Sequence, residues 1–132
     1  MRKRSVSDVV LDSSALLAVI NEEAGAETVL GALPGAYVSS VNVAEVVAKL
    51  NERGASEDKA RLWINGLEVS VVPFDEEQAI QSGLLRRATK PLGLSLGDRA
   101  CLALARSLDL PALTGDRTWA QLPLGVEVRL FR

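Results

Sequence analysis

Histidine is absent from this chain, and with it the commonest general base and metal ligand of proteins. Ser-His-Asp and Cys-His catalysis are excluded, and so are zinc motifs that need His. Cysteine occurs once, at Cys101, so neither an internal disulfide framework nor a multi-cysteine zinc site can form. A free cysteine is usually buried, and Cys101 is expected to pack in the core. Aromatic residues make up only 4% of the chain, which leaves no evident stacking platform for single-stranded nucleic acid. No apolar run reaches the roughly 18 residues of a membrane span: the stretch Val9 to Ile20 is broken by Asp12, Ser13 and Ser14. The basic start Arg2-Lys3-Arg4 is not followed by the apolar region and cleavage site of a signal peptide, so a cytoplasmic protein is expected. The net charge of −2 specifies no partner and argues against a generic nucleic-acid coat protein, while leaving room for a local basic patch. There is no G-x-x-x-x-G-K-[ST] loop and no G-x-G-x-x-G after the first strand. Carboxylates, lysines, hydroxyls and oxygen-bound hard metal ions are left to carry any chemistry.

What the chain has is 132 residues with 48% apolar side chains, enough for one core and one domain, 1–132. Short β-branched runs predict strands at 9–11, 36–39, 69–72, 111–114 and 126–130. Between them, helices are predicted over 15–21 with Ser13 or Ser14 as cap, over 27–33, along the stripe Val43, Val46, Val47 and Leu50, over 57–67 after Ser56, over 76–88 after Asp75, and from Gly97-Asp98 to just before Pro111. This alternation predicts an α/β fold with right-handed crossovers and a mostly parallel sheet between helices. In such sheets the functional crevice lies beyond the carboxyl ends of the strands.

Three aspartates fall near that edge. Asp12 ends the first strand, Asp116 follows the fourth after one glycine, and Asp98 opens a helix just before it. Each has an ordinary structural role open to it as well: Asp12 as a helix cap, Asp98 at a helix dipole, Asp116 in a turn. Glu45 falls on the helical wheel opposite the apolar stripe, beside Lys49 and Glu52, where a solvated glutamate would sit, although its small neighbours Ala44 and Ala48 leave room for a second buried face. Converging carboxylates repel by roughly 4 kcal/mol per pair at 4 Å with an effective dielectric near 20. A divalent cation such as Mg²⁺ or Mn²⁺ relieves that repulsion, and such a ring of acids suits metal-assisted phosphodiester hydrolysis.

Four blocks, Val9 to Ala18, Ser39 to Val46, Leu94 to Ala105 and Leu113 to Trp119, occur in an order and spacing that resembles the PIN-domain ribonucleases of the VapC toxin type. The resemblance runs across essentially the whole chain. It implies a three-layer α/β/α sandwich with a central parallel sheet, and an acidic cluster that binds Mg²⁺ or Mn²⁺ and cleaves RNA. It maps the acids onto Asp12, Glu45, Asp98 and Asp116, against the wheel argument for Glu45, with Ser13 and Thr114 as supporting hydroxyls. It further implies a cognate antitoxin protein and a homodimer.

For the RNA, the basic candidates around the Gly93 to Gly97 stretch are Arg87 and Arg99, while Arg86 and Lys90 suit the end of a helix. Arg117 is placed to pair with a carboxylate, and Trp119 to pack a short helix. Two other functions share the fold: a catalytically idle PIN-like binding or assembly module, and a metal-dependent phosphohydrolase acting on a small phosphoester.

Overall fold

The computed structural model describes residues 8–121 and 124–132. The basic start at 2–4 lies outside them. Five strands, β1 (Val9–Leu11), β2 (Ala36–Ser39), β3 (Ser70–Val72), β4 (Ala112–Thr114) and β5 (Val128–Leu130), form one sheet in the order β3-β2-β1-β4-β5. All four pairings are parallel. The chain winds outward from β1 through β2 to β3, then returns to the other side of β1 for β4 and β5. The gap between β1 and β4 is therefore the switch point at which the two windings diverge.

Period-two alternation in the strands sends side chains to two separate cores. Val9 and Leu11 of β1, with Val38 and Leu113, pack beneath α1 (Ser13–Ile20), α2 (Ala26–Ala32), α3 (Ser40–Glu52) and α4 (Glu57–Leu67). Val10 and Ala112 turn to the opposite face, against Leu85, which follows α5 (Glu76–Leu84), and against Cys101, Leu102 and Ala105 of α7 (Leu96–Leu108). This is the three-layer α/β/α sandwich that the sequence pattern implies. Central strands buried on both faces read as continuous apolar runs, which is why Val-Val-Leu suffices to mark β1.

Local chemistry sets the element ends. The predicted caps Ser13 and Ser14 are displaced by one position or more: Asp12 itself is the N-cap of α1, its carboxylate accepting from the amide of Ala15. Ser39, Ser56, Asp75 and Ser95 cap α3, α4, α5 and α7 in the same way. The helix predicted over 76–88 is broken. It ends at Leu84, and a separate turn, α6 (Arg86–Thr89), follows Leu85. Gly83 is the weakest helix former near the break, and Thr89 donates back to the carbonyl of Leu85. The fifth strand starts two residues later than predicted.

Trp119 is fully buried beneath the short 3₁₀ turn 117–121, as expected, and Cys101 is buried in α7. Gly25 has φ of +86°, and a Cβ there would meet the carbonyl of Phe131 at 2.2 Å. The segment after β5 is thus drawn tightly against the α1–α2 turn, bringing Arg132 to Glu23.

Leu16 is wholly buried in the upper core. Leu16→Ala is expected to lower unfolding stability by about 2–5 kcal/mol through lost burial and the cavity left behind. Urea titration with an unchanged m-value measures it.

Candidate active site

Asp12 is the best-anchored acid. Its residue is only 4% exposed. One carboxylate oxygen accepts from the hydroxyl of Ser14 at 2.7 Å and the amide of Ala15 at 3.0 Å, while the other accepts from the hydroxyl of Thr114 at 2.5 Å. Each hydroxyl is in turn fixed from the β4 side. Thr114 Oγ1 accepts from the amide of Asp116 at 3.0 Å, and Ser14 Oγ accepts from the amide of Gly115 at 3.1 Å. The ends of β1 and β4 are thereby joined through a single carboxylate, and Asp116 is held beside it. Asp116 accepts from both the amide and the hydroxyl of Thr118, which closes its turn.

The second pair comes from two helix N-terminal halves. Asp98 belongs to a capping box: its amide donates to Ser95 Oγ at 3.2 Å, and its carboxylate accepts from the amide of Ser95 at 2.9 Å. Glu45 accepts from the hydroxyl of Ser13 and, at 3.0 Å, from the side-chain amide of Asn42. Asn42, 1% exposed, also donates to the carbonyl of Gly97 at 3.1 Å and reaches Ser13 Oγ at 3.1 Å. It therefore ties α1, α3 and α7 together. Gly97 is required by this approach, because a Cβ there would stand 2.2 Å from the carboxylate oxygens of Glu45.

Burial and mutual repulsion shape the acids' ionisation. Desolvation pushes the Asp12 carboxyl above its usual range, against the lowering effect of the Thr114, Ser14 and Ala15 hydrogen bonds, and the charge of Asp98 adds to the rise. Asp98 is raised mainly by burial. Its bonds to Ser95 oppose the rise, and the charges of Glu45 and Asp116 contribute to it. The buried Cys101 thiol is pushed well up by desolvation first and then by Asp12, Asp98 and Glu45. Among the described residues, none of the ion pairs engages any of the four acids.

These residues line a cleft of about 360 Å³. The donors are all oxygen, oriented by neighbouring hydroxyls and amides, and raised carboxyl groups without a counter-ion are the chemistry that a hard divalent cation satisfies. One buried acceptor beside them, Asn42 Oδ1, has no hydrogen-bond partner. The residues fit Mg²⁺ or Mn²⁺. Among the described residues no group of three or more His, Cys, Asp or Glu is drawn close enough to hold a metal ion as it stands.

All four sequence-predicted acids line the cleft, with Ser13 beside Glu45 and Thr114 beneath Asp12. The wheel placement of Glu45 on a solvated face is overturned. Besides the apolar stripe, helix α3 has a second, polar face turned to α1 and α7, on which Asn42 is buried and Glu45 half-buried. Arg87 is exposed on α6 and does not line the cleft. Arg99 turns away from it and donates to the carbonyl of Ser82 at 3.0 Å. Arg117 is exposed and makes no ion pair with a carboxylate among the described residues. The cations that do line the cleft are Lys49, Arg53 and Arg132, none of which the sequence singled out for this role. Asn42, Ser14 and Ser95 were missed as well. The i, i+3, i+7 spacing of Asn42, Glu45 and Lys49 is the signal that could have found two of them.

The sequence matches the PIN domain over residues 9–124. The chain belongs to the PIN-domain family. Solved structures similar to it include a toxin-antitoxin complex from Klebsiella pneumoniae, with a TM-score of 0.75 at 20% identity, covering 95% of this chain and 98% of that one. The DNA-bound VapBC complex from Salmonella typhimurium gives 0.74 at 17%, with the same coverage. VapBC-5 from Mycobacterium tuberculosis gives 0.57 at 23%, covering 96% and 98%. At these identities the likeness establishes the PIN fold. No curated protein matches the sequence.

Two outcomes test the site. A Cβ at Gly83 in α5 meets nothing within 4 Å, so Gly83→Ala should stabilise by about 0.5–1 kcal/mol through helix propensity alone. Gly97→Ala should forgo that gain, because it drives the Glu45 carboxylate off Asn42 and Ser13. Equal stabilisation of both variants would show that Glu45 is not clamped.

The second outcome concerns pH. A carboxyl group whose folded pKa lies above its unfolded value of 3.8 destabilises the fold at neutral pH, and that penalty disappears as pH falls through the folded value towards 3.8. Metal-free Asp98→Asn should therefore be at least as stable as the wild type at pH 7, with its advantage shrinking as the solution is acidified. Thermal unfolding in chelator across pH measures the trend, and an advantage that grows on acidification would contradict it.

Proposed function

We propose that this PIN domain is a metal-dependent endoribonuclease and the toxin of a toxin-antitoxin pair. The observation that carries the reading is that Asp12, Glu45, Asp98 and Asp116, from four separate segments, line one cleft, with the carboxyls of Asp12 and Asp98 raised by burial and none of the four in an ion pair among the described residues. A divalent cation would offset the repulsion among these acids, and such a cation suits a phosphodiester substrate. Structural neighbours that are toxin-antitoxin complexes support the antitoxin partner. A homodimer and a cytoplasmic location belong to the same reading. No helix among the described residues is long and apolar enough to cross a membrane.

Asp12 and Asp116, fixed at the ends of β1 and β4, would hold the cation, with Asp98 and Glu45 completing its surroundings directly or through water. When bound, the cation supplies Lewis-acid polarisation of the phosphate and a water acidified for attack. The protein's own contribution is positional. Ser14, Thr114 and the Ala15 amide fix the orientation of Asp12, and Ser13 and Asn42 fix that of Glu45. With no histidine in the chain, a carboxylate of this cluster orients the attacking water or takes its proton.

Asp12→Asn keeps the side-chain volume and removes the charge, giving up the hydrogen bond to Thr114 or to Ala15. Cleavage of defined RNAs in Mn²⁺ should fall at least about 10²-fold, equivalent to roughly 2.7 kcal/mol of transition-state stabilisation, while RNA binding persists. Chelator should abolish activity and added Mn²⁺ restore it, as read by mapping of cut ends. Undiminished cleavage in chelator, or hydrolysis of phosphomonoesters with RNA left intact, would defeat the reading.

A further inference from the structure

The acidic cleft carries a second set of charges that its metal chemistry does not use. Lys49 and Arg53 stand four and eight residues after Glu45, so they continue the cleft-facing side of α3 beyond the acids. Arg132 enters from another direction. Its side chain lies about 3 Å from where a Cβ on Gly115 would stand, next to Asp116, and its guanidinium donates to Glu23 at 2.9 Å. The pull of Gly25 on Phe131 fixes its approach. Cations therefore border the acids from both the α3 side and the β4 side.

Their spacing bears on the substrate. At 1.5 Å rise per residue, Glu45 to Arg53 spans about 12 Å along α3, too far for one phosphate and suited to successive phosphates of a strand. A small phosphoester sitting at the acids would leave the far end of this row without a partner. Positive charges in the last turn of α3 also suit the helix dipole, but the dipole is indifferent to which face they occupy. Glu23 lies in the same cleft, and its carboxyl is held below the usual range, chiefly by Arg132, with Asn21 and Arg53 contributing.

We propose that Lys49, Arg53 and Arg132 form the subsite for the RNA backbone, and that Glu23 is its internal counter-ion, which RNA phosphate displaces. The subsite rests on the endoribonuclease reading of the cleft and names the residues that grip its substrate. Glu23 makes the grip adjustable. It neutralises part of the positive charge in the free protein, so binding releases one internal pairing as well as solution counter-ions.

Fluorescence anisotropy of a labelled oligoribonucleotide, measured in chelator over a sodium chloride series, tests this without any cleavage. Each phosphate contact to a single strand contributes about 0.7 to the slope of log affinity against log salt. Lys49→Ala/Arg53→Ala should flatten the slope by about 1.4, an affinity loss of about 25-fold at 0.1 M salt if the affinities meet near 1 M. Glu23→Gln should act in the opposite sense, tightening binding and steepening the slope as Arg132 is freed. Lys49 and Arg53 are exposed, so unfolding midpoints should stay near the wild-type value. A double variant that binds RNA with wild-type affinity and slope overturns the subsite while leaving the nuclease reading intact, also where that variant has lost its antitoxin and the cations prove to serve a protein instead. Failure of the wild type to bind RNA at any salt overturns the subsite, while the nuclease reading stands or falls by cleavage in Mn²⁺.

Discussion

Everything at the cleft depends on one buried carboxylate. Asp12 ends β1, caps α1 and is bound on its other side by Thr114 of β4. Removing water from a carboxylate is costly, and here three hydrogen bonds offset part of that cost. The same bonds fix the register between the first strand and the fourth, and hence the position of Asp116. Exchange of Asp12 for a neutral isostere therefore weakens this structural tie as well as removing the charge. Asparagine would keep the acceptor for Ala15 yet offer Thr114 an amide in place of an oxygen, or the reverse after a flip.

The acids were legible in the sequence for different reasons. Asp12 and Asp116 stand directly beyond apolar strand runs, and parallel topology alone sends such residues to one edge. Asp98 was readable as a helix opener, and its capping box with Ser95 bears that out. The sequence left open whether each aspartate had a structural or a chemical task, and the structure gives each a structural one at the cleft: Asp12 caps, Asp98 completes a capping box, Asp116 closes a turn, and all three line the cleft. Glu45 was misplaced by the helical wheel, because a wheel assumes one buried face. Helix α3 has two, and the second is polar, built on Asn42 and sealed against a glycine of α7. A hydrophobicity pattern has no means of signalling a buried face made of amides and carboxylates.

The cations show a different limit. Arg87 and Arg99 are near the acids in sequence, and nearness in sequence drew attention to them. Arg99 points instead into the α5 side, where it satisfies the Ser82 carbonyl. Arg132 lies far from every acid along the chain and reaches the cleft only because Gly25 lets the segment after β5 close in. Long-range placement of a flexible side chain is set by packing of the whole sandwich, and no local window contains it. The broken helix at Leu85 has the same character: its residues are compatible with continuation, and the tertiary setting decides otherwise.

The strand order has a consequence in time. Thr114 and Asp12 are 102 positions apart in sequence, so the bond that orients the central acid cannot form until β4 has been synthesised. Until β4 emerges and inserts beside β1, an N-terminal portion can wind β1, β2 and β3 with their helices, yet Asp116 is absent and Asp12 has no Thr114 to hold it. Long-range parallel pairing is slow to form, because the closure entropy must be met before the contacts repay it. The cleft is therefore incomplete during synthesis until the second winding of the sheet is in place.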